Sequence, residues 1–411
     1  MKILFRFLKY FNKHIPYLYH LNRIQTITLL LLLASPFLGL TQTFIAGESY
    51  IDENNFIEYS VGNLPIILSS PHGGYLEPDS VPERNCEGCV YQRDAYTQEL
   101  TRGIHEAIIA KTGCYPHIVV NLLHRNRLDA NREIIEAADS NKTVEQSWEY
   151  FHRMTDTAKA IVTRQYGKGI YVDMHGHGHT IQRLEIGHAV WKSDLQQSDD
   201  HLNSETVLNK STIKHLASSN IQGYTHAELI RGEFSLGTLM HESGFPSAPS
   251  SADSFPLDSE SFFTGGYDVK RHGSRDGGTI DAIQIECNQS WRFTQAGREA
   301  FIDSASNAII TYVKRHYFPD FKANYCEKLL STKSIIQESF RMFPNPAHSV
   351  LNINTRLENA SVYVYNNLGL LVISSPLSDE PLDINKLPTG IYSVSISNGR
   401  KSLAPKIFVK Q

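Results

Sequence analysis

The chain of 411 residues is 41% hydrophobic and 20% charged, with 26 Gly and 17 Pro, a globular composition on a chain too long for one compact domain. Lys+Arg 39 against Asp+Glu 43 gives a net charge of -4, which leaves no basic excess to hold a nucleic-acid backbone and argues against that partner. Five cations (Lys2, Arg6, Lys9, Lys13, Arg23) precede position 44, so the remainder is more acidic still.

The five cations lead into an apolar run from Ile27 to Leu40 that contains Pro36. At about 14 residues the run is shorter than the roughly 20 that a membrane-spanning helix needs. It reads as a signal peptide over residues 1–43, cut near Thr41 to Thr43. An uncleaved N-terminal anchor is the other reading.

From about Phe56 to Phe321, short β-branched runs alternate with helical spacing. Ile66 to Leu68, Ile118 to Leu123, Gly169 to Met174 and Ile280 to Ile285 read as buried strands. Leu100, Ile104, Ala107 and Ile108 after Asp94, and Ile302, Ala305, Ile309 and Val313 after Thr294, read as amphipathic helices. The expected fold is a three-layer α/β/α domain over 44–321, with a central mixed, largely parallel sheet. Its active site is expected at the carboxyl ends of the strands.

The residues after each run are chemically matched. Ser70-Pro71-His72-Gly73-Gly74 follows the first, His124 to Arg132 the second, Asp173 to His179 the third, and the fourth ends in Gln284-Ile285-Glu286. His72 and His175 are candidate zinc ligands, since catalytic zinc takes three His or carboxylate ligands and keeps one position for water. The third ligand is assigned to Asp94, in the first turn of the next helix, in preference to Glu77. His177 and His179 are left outside the ligand set. Arg125, Arg127, Asn131 and Arg132 form a candidate anchor for an anionic substrate group, because guanidinium forks match carboxylates. Glu286 ends an apolar run, where burial would raise its pKa and suit it to general-base work.

All five cysteines (Cys86, Cys89, Cys114, Cys287, Cys326) lie in the middle region. Cys86-Glu87-Gly88-Cys89 has no second Cys pair to complete a zinc knuckle, and a disulfide or loop staple is expected, with the pairing left open. Residues 322–339 read as a connector. Residues 340–411 differ in kind, with alternating runs (Val350 to Ile353, Ser361 to Tyr365, Leu370 to Ile373, Ile391 to Ile396, Lys406 to Val409) punctuated by Pro and Gly. They predict a small all-β sandwich.

Two resemblances follow from these residues. Phe343-Pro344-Asn345-Pro346, Val362 to Asn366 with Gly369, Leu387 to Tyr392 and Lys406 to Lys410 resemble the type A C-terminal sorting domain of the type IX secretion system of Bacteroidota. That implies export through the periplasm to the exterior or cell surface, with the secretion machinery as a partner. Pro71-His72-Gly73-Gly74, Asp129-Ala130-Asn131-Arg132, Asp173-Met174-His175-Gly176, Thr264-Gly265-Gly266-Tyr267 and Ala282 to Glu286 resemble the N-formylglutamate amidohydrolase family, similar in scaffold to the M14 zinc carboxypeptidases. The match spans roughly Leu64 to Tyr317. It implies zinc on His72 and His175, a substrate carboxylate on Asn131 and Arg132, Glu286 as general base, and Tyr267 and Arg271 near the substrate. Tyr75 stands where a carboxypeptidase-type HxxE would place its Glu. The expected activity is cleavage of an amide or formamide bond in a substrate with a free carboxylate. A carboxypeptidase-like peptidase and a non-catalytic binding protein are the alternatives.

Overall fold

The structure, a computed structural model, describes residues 44–319 and 340–411, apart from 356, 358, 359, 367–370, 379 and 399–401. The expected signal peptide and the expected connector with Cys326 lie outside the described residues.

Eight strands form one mixed sheet: β1 (Ser49–Ile51), β2 (Ile57–Ser60), β3 (Ile66–Ser70), β4 (His117–Asn121), β5 (Gly169–His177), β6 (Leu184–Gly187), β7 (Ser247–Ala248) and β8 (Ile280–Asn288). The order is β1-β2-β4-β3-β5-β8-β6-β7. The inner four, β4-β3-β5-β8, run parallel, while β2 joins β4 and β6 joins β8 antiparallel. Side chains alternate between two apolar layers, as strand geometry requires. Leu68, Val120, Val172 and Ile283 pack in the layer that also holds Leu100, Ile104 and Ile309. Ile67, Val119, Tyr171 and Ala282 pack with Val144, Phe151 and Ile161. The predicted three-layer α/β/α architecture is therefore present.

Local chemistry sets the helix limits. The Lys142–Tyr166 helix opens where the Asn141 side chain accepts from the amides of Thr143 and Val144, and it closes at Gly167 with φ 77. The Gln295–His316 helix opens where Thr294 accepts from the amide of Gly297. The Thr97–Thr112 helix opens differently: Tyr96, in the left-handed region at φ 70, directly precedes it. Asp94 therefore lies on the loop before the helix, not in its first turn, and a helix dipole does not account for its charge.

Two strands outrun their apolar stretches. β5 continues through His175 to His177 and β8 through Glu286 to Asn288, with His175 paired to Glu286 in parallel register. Polar site residues end the hydrophobic signal while the backbone ladder continues. The chain leaves β3 for β4 on one side and then crosses to β5 on the other, so the switch point of the sheet falls between β3 and β5. In parallel α/β sheets the crevice for a ligand lies there, beyond the carboxyl ends.

The C-terminal unit, taken by itself, consists of a three-stranded and a four-stranded antiparallel sheet. Leu351, Val362, Val364, Val394, Ile396 and Phe408 are among the residues of its own core. The expected all-β sandwich module is thus an antiparallel pair of sheets.

His117, on β4, is fully buried, and its Nδ1 accepts from the amide of Gly62 at 3.0 Å. Burial holds its pKa down to about 3, and burial likewise holds His188 to about 3. Below pH 6.5 the unfolded chain takes up protons that these two rings in the folded chain refuse, so stability present above 6.5 is lost as the pH falls. Each ring is expected to cost about 2 kcal/mol at pH 5. Urea midpoints measured at pH 7 and pH 5 check this; equal midpoints contradict it.

Candidate active site

His72, on the loop after β3, and His175, on β5, bring their rings to a centroid separation of 4.7 Å, edge to face. Both are buried, at 1% and 2% exposure. The loop reaches this position through its glycines. A Cβ on Gly73 would run into the amide of Gln98, and one on Gly74 into the carbonyl of Leu123.

Each imidazole is held at its outer nitrogen. His72 Nε2 lies 2.6 Å from Asp129 Oδ1, and His175 Nε2 lies 2.8 Å from Asp173 Oδ2. A carboxylate accepts, so both Nε2 atoms donate. In the neutral rings the Nδ1 lone pairs then face Asp94 Oδ2, at 3.4 and 3.2 Å. The amide of Gly176 also donates to this oxygen, at 3.1 Å. Two ring lone pairs and a carboxylate oxygen converging on one point repel one another unless a proton or a metal cation lies among them; burial pulls the His175 pKa down, but Asp173 and Asp94 raise it well above the ordinary value, so this point attracts positive charge. Carboxylate-backed imidazoles of this kind are the usual setting of a divalent metal, and His72, Asp94 and His175 have the donor set for zinc-class ions. Burial would raise the Asp94 and Asp129 carboxyls, but the adjacent His72 imidazole, joined at Asp94 by His175, holds both well below the usual range.

Arg125 supports this set from behind. Its Nε donates to Asp129 Oδ2 at 2.9 Å and its guanidinium lies 3.5 Å from Asp94 Oδ1. Arg84 in turn donates to the Arg125 carbonyl at 2.9 Å and to Cys89 Sγ at 3.2 Å. Cys86 and Cys89 form the expected disulfide, Cys114 is also disulfide-bonded, and Cys287 is free and buried.

Beside His175, Glu286 is 5% exposed. Gln284 Nε2 donates to its Oε1 at 2.9 Å, while its Oε2 is buried with no hydrogen-bond partner. Burial pushes this carboxyl up to about 8, with Asp94 and Glu185 adding to the rise and His175 opposing it. The group can therefore exchange a proton near neutral pH.

These residues line a cavity of about 490 Å³ with Asn131, Arg132, Tyr267, Lys270, Phe262 and Phe263 among its walls. The structure thus gathers His72, Asp94, His175, Glu286, Arg125, Asn131, Arg132 and Tyr267. It does not bring in the expected anchor residue Arg127, or Arg271, which the resemblance put near the substrate. Arg127 is turned to Glu77 and Glu83, at 3.7 and 3.8 Å. Arg271 touches the site only through Tyr267, donating to its hydroxyl at 3.2 Å, and lines a neighbouring cavity. Glu77 accepts from Asn126 at 2.9 Å, away from the imidazole pair. Arg125 faces the cavity but is committed to Asp129 and Asp94, and Arg132 donates to Glu136 at 2.9 Å. His177 and His179 stand to one side: His177 Nε2 meets the Arg183 carbonyl, and His179 Nδ1 meets Glu185 at 2.8 Å.

The sequence reading missed Lys270, a half-buried cation on the cavity wall that forms no ion pair with any described residue. Burial and the nearby Arg275 and Arg132 charges lower its pKa. It also missed the orienting roles of Asp129 and Asp173. The spacing Asp173-x-His175 does signal one of them, since residues two apart on a strand share a face.

Residues 341–410 match the family model described as the secretion system C-terminal sorting domain, which points to secretion or the cell surface. No curated protein matches the chain in sequence. Among solved structures, the N-formylglutamate amidohydrolase from Ralstonia eutropha JMP134 is similar at 12% identity, covering 64% of this chain and 98% of its own, with a TM-score of 0.38. The gene product Atu2144 from Agrobacterium tumefaciens is similar at 11% identity, with coverages of 63% and 94% and a TM-score of 0.39. The CwlD amidase from Clostridioides difficile, solved with the GerS lipoprotein, gives 11%, 61%, 98% and 0.26.

Replacing Asp173 by Ala removes the acceptor that fixes the His175 tautomer and is expected to weaken divalent-metal binding by about 10–100-fold. Competition against a chelator of known affinity measures it. Unchanged affinity would show that Asp173 does not orient a ligand.

Proposed function

We propose that this chain is an exported, zinc-dependent hydrolase of carbon–nitrogen bonds that cleaves an amide or formamide in a substrate bearing a free carboxylate. In this reading residues 1–43 are a signal peptide, 44–321 the catalytic domain, 322–339 a linker and 340–411 the sorting domain. The supporting observation is the convergence of two carboxylate-backed imidazoles, Asp94 and a buried Glu286 with a free oxygen on one cavity.

A divalent cation held by His72, Asp94 and His175 would acidify a water and polarise a carbonyl. Glu286 supplies the proton traffic. Its free Oε2 takes a proton from the attacking water and returns it to the departing amine, and its raised pKa keeps both transfers within reach. Gln284 holds the other carboxyl oxygen, so the accepting oxygen is fixed in orientation. Lys270 anchors the substrate carboxylate: an ammonium half-removed from water, with cations rather than carboxylates as its charged neighbours, gains most from an incoming anion. Asn131 is set beside it, its Oδ1 already taken by the Asp268 amide at 2.7 Å. Phe262, Phe263 and Tyr267 shed water from the substrate as it seats.

The compartment bears on the substrate. An exported enzyme meets peptides, including cell-wall stem peptides, more readily than formylated amino acids, and a panel of both separates peptidase from deformylase activity.

Glu286→Gln is expected to keep the metal and to lower kcat by about 10²–10⁴-fold; a rate near that of the parent protein ends the assignment. In the parent enzyme the kcat/KM profile should rise with pH as Glu286 loses its proton. The half-point is expected between the ordinary 4.5 and about 8, with the nearby cation pulling it down from the upper value. Lys270→Met is expected to raise KM about 10-fold or more for a free-carboxylate substrate, while leaving the corresponding carboxamide unaffected. Equal losses on both substrates would remove Lys270 from the anchor.

A further inference from the structure

A second convergence of imidazoles lies on the other side of the Tyr267–His272 helix. His152, from the Lys142–Tyr166 helix, and His272 place Nδ1 and Nε2 2.9 Å apart. Asp268 reaches the same point, and one ligand atom from each residue falls within 4.8 Å of the others. His152 is 1% exposed, and Asp268 and His272 are 0% exposed. Both carboxyl oxygens of Asp268 are buried without any hydrogen-bond partner among the described residues.

Proton accounting separates a plain polar core from a metal site. His152 Nε2 lies 3.2 Å from the Ala130 carbonyl, which only accepts, so this nitrogen carries the proton. The neutral ring then offers an Nδ1 lone pair, and the bond to His272 uses the His272 Nε2 proton. His272 Nδ1 is left as a lone pair 3.3 Å from Asp156 Oδ1, lone pair against carboxylate. Asp268 has no donor to meet it, and although burial and the nearby Asp173 push its carboxyl well above the ordinary range, in the protonated form it has no acceptor among the described residues either. Placing a cation among His152 Nδ1, His272 Nε2 and Asp268 resolves every mismatch at once. The His272 proton moves to Nδ1 and donates to Asp156, His152 keeps its bond to Ala130, and the Asp268 charge is met. Each imidazole is then held at its far nitrogen by an acceptor, the arrangement found at His72 and His175.

We propose that His152, Asp268 and His272 form a second, enclosed site for a divalent transition metal of the zinc class. Two imidazoles and one carboxylate suit such an ion better than calcium or magnesium, which prefer oxygen ligands. His152 also lines a cavity of about 700 Å³ with Trp148, Asp156 and Arg271, which provides a way in. The ion would clamp the Tyr267–His272 helix to the Lys142–Tyr166 helix, fixing the segment that carries Tyr267 and Lys270.

The test is metal stoichiometry by mass spectrometry on purified full-length protein, stripped with a chelator and reloaded with zinc alone. The parent protein is expected to bind two equivalents, His175→Ala one, Asp268→Asn one, and the double variant none. A folded His175→Ala protein that binds no zinc overturns the proposal without reference to any Asp268 variant. So does an Asp268→Asn protein that retains two equivalents. If Asp268→Asn fails to fold, cobalt titration of His175→Ala decides: a single visible d–d band supports the second site, and its absence removes it. Retention in Asp268→Asn but not in His175→Ala leaves the cavity centre standing alone, whereas the reverse removes the cavity centre and keeps the enclosed one.

Discussion

The fixed tautomer of two histidines is the constraint on which the site depends. Asp129 and Asp173 each accept a hydrogen bond from the Nε2–H of one ring, and only then do both Nδ1 lone pairs face the same oxygen of Asp94. Burying two carboxylates for this purpose is costly unless they are fully satisfied. Asp129 is satisfied by Arg125 and His72, and Asp173 by Ser69 at 2.5 Å and His175. Arg84 and the disulfide loop sit outside Arg125 as a further shell. The interior polar groups around β3 and β5 thus form one connected network whose unmatched end is the cavity.

Much of this was legible before any coordinates. The four inner strands announce themselves as β-branched runs, and the Pro-His-Gly-Gly after the first of them marks a loop that needs close backbone approach. That the Gly-Gly after His72 packs against the backbone at Gln98 and Leu123 is the physical content of that motif. Asp94 is preferred to Glu77 as a ligand for an expected place in the first turn of a helix, yet left-handed Tyr96 delays the helix start and leaves Asp94 on the loop.

Other features were hidden for definable reasons. The ends of β5 and β8 carry His, Glu and Asn where a strand pattern expects apolar residues, so both strands looked shorter than they are. Arg125 and Arg127 looked equivalent as substrate anchors; their partners, contributed by distant loops, separate them. Lys270 stands in a run of charged residues that reads as a solvated helix, and only its place on the cavity wall distinguishes it. His152 and His272 are 120 positions apart, with no local motif to join them.

The parallel register of His175 with Glu286 has an architectural consequence. Neighbouring strands sit about 4.8 Å apart whatever their side chains, so the spacing between the His175 imidazole and the buried Glu286 carboxyl is inherited from the ladder rather than negotiated by loops. Diversification is thereby partitioned. Insertions in the stretch from Phe262 to Lys270 would reshape what the pocket admits, while the His175–Glu286 geometry stays anchored in the central sheet.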